Sequence, residues 1–140
     1  MNSRTLKLAV GLILSLGIVY FAIEGKPRKM QNIPAGTWGG QHIKIEIANG
    51  SATIEYDCAT GTIDGPLKLD SQGKFSLTGT HVREGGPTRI DGPGKGQPAR
   101  FTGWTDGKKM NLTVTLADSK EALGTFELVH GNQGRIRKCR

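Results

Sequence analysis

Three histidines (His42, His81 and His130), the carboxylates Glu55, Asp57 and Asp64, and two cysteines (Cys58 and Cys139) are the side chains most able to do chemistry in this 140-residue chain. A metal site needs three or four such ligands to converge. The histidines stand far apart and fall on three different predicted strands, so they read as isolated surface residues. Asp57 with Asp64, or Glu55 with Asp57, has the makings of an acid–base pair. Carboxylates at outward strand positions ordinarily serve solvation, and that is the expectation here. The motifs H-E-x-x-H, G-x-S-x-G and G-x-x-x-x-G-K-[ST] are absent. Gly92-Pro93-Gly94-Lys95-Gly96 lacks both the spacing of a phosphate loop and a helix after it. No catalytic, cofactor-binding or metal-binding residue is therefore expected, and the chain reads as a binding protein and not an enzyme.

The cysteines carry a different chemistry. With no C-x-x-C and no histidine close to either in sequence, nothing marks a reactive thiol. Two cysteines in an exported chain ordinarily pair, which predicts a Cys58–Cys139 bond. Cys58 is expected mid-strand on the inward face.

Export is suggested by the N-terminus. Arg4 and Lys7 precede sixteen uncharged, mostly apolar residues, Leu8 to Ile23, the layout of a signal peptide. Small residues are poorly placed for cleavage, since Tyr20 precedes Ala22 and Ile23 precedes Gly25 at the relevant spacing. Residues 1–25 thus read as a signal peptide or an uncleaved membrane anchor through residues 8–23. Residues 26–35 read as a basic linker, and residues 36–140 as one domain. The expected location is periplasmic or extracellular.

The formal charge of +7 is concentrated at the two ends. Residues 30–134 hold 10 basic and 11 acidic side chains, a balance of −1. Nucleic-acid binders gather Lys and Arg on one face, often with stacking aromatics, so a nucleic-acid partner is not expected. The segment 83–100 is different. It has five glycines, three prolines and little that is apolar beyond Ile90, and structureless stretches beyond about 12–15 residues are uncommon in compact domains unless functional or disordered. Arg83, Arg89, Lys95 and Arg100 make it a candidate partner-contact loop.

What positions these residues is a series of short strands. Ile43, Ile45 and Ile47 alternate with His42, Lys44 and Glu46, and Asn49-Gly50 supplies a hairpin turn. Ala52, Ile54, Tyr56 and Cys58 answer on the next run. Leu67 and Leu69 follow a turn at Asp64-Gly65-Pro66; Phe75 and Leu77 open a strand reaching about Val82. Phe101 marks another. Met110, Leu112, Val114 and Leu116 form the clearest inward face, followed by Phe126 and Leu128 and a last short strand over Arg135–Cys139. The fold class expected is all-β, an antiparallel up-and-down meander of seven or eight strands closed into a small barrel, preceded by an N-terminal apolar helix. The inward residues are mostly bulky, which predicts a filled interior.

Gly36-Thr37-Trp38 at the start of the first strand, with basic residues near the end, resembles the lipocalin and avidin barrels. That resemblance implies that Trp38 plugs the barrel floor with Arg135 or Arg137 stacked on it. The phrases GTWGG, DCATGTIDGPL, GTHVREGGP and MNLTVTL over residues 36–140 resemble a group of uncharacterised small exported bacterial β-barrel proteins, which implies no activity. Tyr56-Asp57-Cys58 with Gly61 is similar to the Tyr-x-Cys-x-x-Gly of periplasmic lysozyme inhibitors. The functional expectation is a cell-envelope module that contacts a protein or glycan through the 83–100 loop. The alternatives are a carrier of a small apolar ligand and, third, an inhibitor of an extracellular hydrolase.

Overall fold

The computed structural model describes residues 30–85 and 96–139. The apolar segment 8–23, the first part of the basic linker, and Arg89 and Lys95 of the contact loop lie outside the described residues.

Eight antiparallel strands follow one another around a closed barrel: β1 (Gly36–Gly40), β2 (Ile43–Ala48), β3 (Ser51–Tyr56), β4 (Ala59–Asp64), β5 (Lys74–Arg83), β6 (Gln97–Thr105), β7 (Lys109–Leu116) and β8 (Ala122–His130). Closure comes from β1 pairing with β8, Trp38 opposite His130 and Gly40 opposite Leu128. No sheet edge is left unpaired, which removes the template for edge-to-edge aggregation. Period-two alternation carries the apolar side chains inward, and Trp38, Ile43, Ile54, Phe101, Leu112, Val114 and Leu128 are fully buried. The Asn49-Gly50 hairpin has φ of 52° and 76° at its two turn residues, as a type I′ turn requires.

Three local expectations are corrected. Cys58 is not mid-strand: Asp57-Cys58 is the two-residue turn between β3 and β4, since Tyr56 pairs with Ala59, and Cys58 has φ 59°. Leu67 and Leu69 form no strand. A single bridge, Asn32 to Lys68, and two backbone hydrogen bonds, Ile33 to Leu67 and Leu69 to Gln31, hold this stretch against residues 31–33. Arg135–Cys139 is likewise no strand, having one parallel bridge between Gln41 and Arg135. The tail's backbone contacts with β1 and the β1–β2 turn are scattered, with Arg135 exchanging hydrogen bonds with Gly40 O and His42 N–H.

The two ends of the barrel are built differently. At one end residues 30–35, expected as linker, run across the opening and bury Ile33 beside Leu67. Below them Ile45, Ile47, Phe75, Met110 and Leu112 leave a void of only about 10 Å³. The tail after β8 starts at this end and straps back over the outside of β1. Gly131 N–H donates to Thr37 O, and Arg135 N–H to Gly40 O. The strap fits because Gly39 has no side chain, as a Cβ there would overlap Asn132 O and Gly134 N. It finishes at the other end, where Cys139 is bonded to Cys58 with 5.0 Å between Cα atoms.

Candidate functional site

The turns β1–β2 and β3–β4, the end of β5 and the start of β8 meet at the open end, around a cleft of about 330 Å³. Its apolar wall is Leu123, Phe126 and Ala59, and its polar members are Tyr56, His81, His42, Asp57, Arg83 and Glu84. A volume near the bottom of the ~300–1,000 Å³ range of small-molecule sites, mostly apolar with a few placed polar groups, is the usual form of such a pocket.

Tyr56 and His81 form the floor. Tyr56 is the last residue of β3 and points inward, and His81 is the last buried residue of β5 in the inward series Phe75, Leu77, Gly79, His81. Their rings lie 5.4 Å apart at 57°, and Phe126 approaches Tyr56 at 5.8 Å. Tyr56 is 6% exposed and His81 8%. Among the described residues, Tyr56 Oη and His81 Nδ1 are the two buried side-chain polar atoms without a hydrogen-bond partner. Buried polar groups are nearly always paired, and leaving one unpaired costs about 1–3 kcal/mol. Burial raises the Tyr56 phenol well above its ordinary range, so it stays protonated. Burial, with the Arg83 guanidinium second, lowers the His81 imidazole below its ordinary 6.5. Both floor groups are therefore uncharged at neutral pH.

The rim is charged and tied to the strap. His42 sits in the β1–β2 turn with φ 66°, and its Nδ1 lies 2.5 Å from Asp57 Oδ2. The other Asp57 oxygen accepts from Arg137 N–H at 2.6 Å. That backbone bond first, and the His42 contact after it, hold the Asp57 carboxyl below the usual carboxylate range. An ionised carboxylate only accepts, so His42 Nδ1 carries the proton facing it. A His–Asp pair of this kind orients an imidazole for proton transfer. The described lining nonetheless offers no serine, threonine or free cysteine for that imidazole to activate, because Cys58 is bound in the disulfide.

The sequence-predicted residues divide accordingly. Cys58 and Cys139 are joined. Trp38 is fully buried towards the closed end, its indole N–H donating to Pro34 O at 3.0 Å. The ring against it is that of His130, 4.8 Å away, while Arg135 and Arg137 meet the barrel through their main chains. Of the contact-loop residues, Arg83 stands on the cleft rim. Arg100 points outward from β6, donating to Ser76 at 3.3 Å. Asp57 and Asp64 begin and end a hairpin arm and lie at opposite ends of the barrel, so they make no acid–base pair.

Two histidines were expected as isolated surface residues and are not. His81 is buried and shares the cleft with His42. The period-two parity of Phe75 and Leu77 already places His81 inward, four residues beyond Leu77. His42 was unreadable as a site residue, because its meeting with Asp57 depends on two turns that only barrel closure brings together. Among the described residues no three His, Cys, Asp or Glu side chains gather as a metal site would need. No family model, curated protein or solved structure matches this chain.

Proposed function

We propose that this protein is an exported cell-envelope module that binds a small, largely apolar molecule in the cleft at the barrel mouth. The observation that carries this reading is the pair of unpartnered buried atoms, Tyr56 Oη and His81 Nδ1, on two residues that line one cleft with an apolar wall. A closed end filled by Ile33, Leu67 and the core beneath them supports a barrel with one working end. The apolar N-terminal segment and the disulfide support export.

The test is titration with an environment-sensitive apolar fluorophore. The wild-type chain should bind about one equivalent, and Leu123→Trp, which fills the cleft from its half-buried rim, should bind none while keeping its near-ultraviolet circular dichroism. Equal binding by both proteins would refute the site.

A second reading, capture of an envelope protein or glycan through the 83–100 segment, is favoured by Arg83 and Glu84 at the cleft rim. Deleting residues 86–95 distinguishes the two. Loss of partner capture in a pull-down with fluorophore binding intact would assign recognition to that segment.

A further inference from the structure

The floor of the cleft specifies more than an apolar guest. Tyr56 Oη and His81 Nδ1 both require a partner, and both belong to rings packed 5.4 Å apart. A hydrocarbon seated there would leave both buried atoms without a partner. A phenolic hydroxyl donates one hydrogen bond and accepts others; a neutral imidazole nitrogen donates or accepts according to its tautomer. A single ligand hydroxyl, which does both at one oxygen, completes this pair whichever nitrogen of His81 carries the proton. A ketone, which only accepts, completes it for one tautomer alone.

Charge decides against an ionised head. The same burial that keeps Tyr56 protonated and His81 neutral would act on a carboxylate placed between them. Arg83 is the one permanent cation among the described lining residues, and it shares the rim with the carboxylates of Asp57 and Glu84. The described rim residues therefore offer no net positive charge to offset the burial of an anion. Phe126 beside Tyr56, with Leu123 above, gives a flat apolar wall suited to an aromatic or short aliphatic body.

We infer that the ligand is an uncharged alcohol or phenol. Its hydroxyl sits between Tyr56 and His81, and its apolar body lies along Phe126 and Leu123. This assignment rests on the small-ligand reading above. The experiment uses three probes of one shape, 4-ethylphenol, ethylbenzene and 4-ethylbenzoate, titrated at pH 7.5 into the isotope-labelled full chain and followed by the resonances of Tyr56, His81 and Phe126. The phenol should bind at least about tenfold more tightly than either other probe, because a site with buried polar groups rejects analogues that leave them unpaired. Tyr56→Phe should remove most of that advantage and leave ethylbenzene within about twofold of its wild-type affinity. The wild-type ranking needs no variant, so a misfolded variant leaves the test standing. Ethylbenzene equal to the phenol, or the benzoate tightest, would overturn the hydroxyl assignment and leave the cleft reading in place. No perturbation of these resonances by any of the three would overturn both.

Discussion

At the closed end of the barrel, among the described residues, no buried side-chain polar atom lacks a partner, and the exposed turn carboxylates are paired as well. Thr105 Oγ1 donates to Lys109 O and accepts from Gly107 N–H; the Trp38 indole reaches Pro34 O. Asp70 accepts from the backbone of Gln72 and Lys74, and Asp106 from that of Lys108 and Lys109. At the open end Asp57 is likewise paired, with His42 and with Arg137 N–H, but the two floor atoms are not. Both ends belong to one sheet and share its register, so strand geometry does not create the difference. It arises from what covers each opening. Among the described residues, 30–35 lie over one, and the strap that ends in Cys139 crosses the edge of the other. The closed end is organised for stability, and the mouth retains unpaired groups that a guest would satisfy.

The largest expected effect tests how far the mouth depends on its strap. Cys58 and Cys139 are 81 residues apart, and the chain-entropy account gives about 4–5 kcal/mol for closing a loop of that size. Cys139→Ser should lower the urea midpoint by a corresponding amount. Hydrogen exchange should also rise around Asp57 and Arg137 beyond the general loss of stability. A change below about 1 kcal/mol would mean that the hydrogen bonds of Gly131, Arg135 and Arg137 hold the strap unaided.

Next in size is the contrast in packing. Leu112, buried in the filled half, should cost about 2–5 kcal/mol on truncation to alanine. Leu123, half-buried on the cleft rim, should cost no more than about 1 kcal/mol. Urea denaturation of the two variants measures both. Equal losses would show the cleft to be as tightly packed as the closed end.

The sequence made the filled half more legible than the cleft. Alternation in β2, β3 and β7 carries the inward faces of Ile45, Ile54 and Leu112, and burial of one face pins the register. The disulfide was legible from cysteine count and expected compartment alone. Turns were less readable: Gln41-His42 divides what looks like one continuous run into β1 and β2, and no turn dipeptide announces it. The cleft combines residues from four separate places in the chain. Only closure of β8 onto β1 sets Phe126 near Tyr56, and local patterns carry no information about that closure. His81 was the readable exception.

A smaller effect separates stability from binding at the floor itself. Tyr56→Phe deletes a buried hydroxyl that has no protein partner, and so removes a desolvation cost with little change in shape. The variant should be as stable as the wild type or up to about 1 kcal/mol more stable, by chemical denaturation without ligand. A loss of more than about 1 kcal/mol would mean that the hydroxyl is satisfied within the barrel, and the contrast between the two ends would fail.

The smallest effect is pH-dependent and belongs to His81. Its imidazole is lowered from 6.5 chiefly by burial, so below that pH the unfolded chain takes up a proton that the folded protein resists. The stabilisation is complete above 6.5 and is lost as the pH falls through the folded value. Asp57, Asp70 and Asp106, also lowered, shift stability in the same direction, but their windows open only near and below 3.8. Between 6.5 and about pH 5 the His81 contribution is thus separable from theirs. Stability measured across that interval should decline on acidification, and His81→Gln should flatten the decline. The same imidazole, followed by its ring-proton shift, should titrate below 6.5. A midpoint at or above 6.5 in the free protein would show a solvated imidazole, and the floor of the mouth would then no longer differ in kind from its rim.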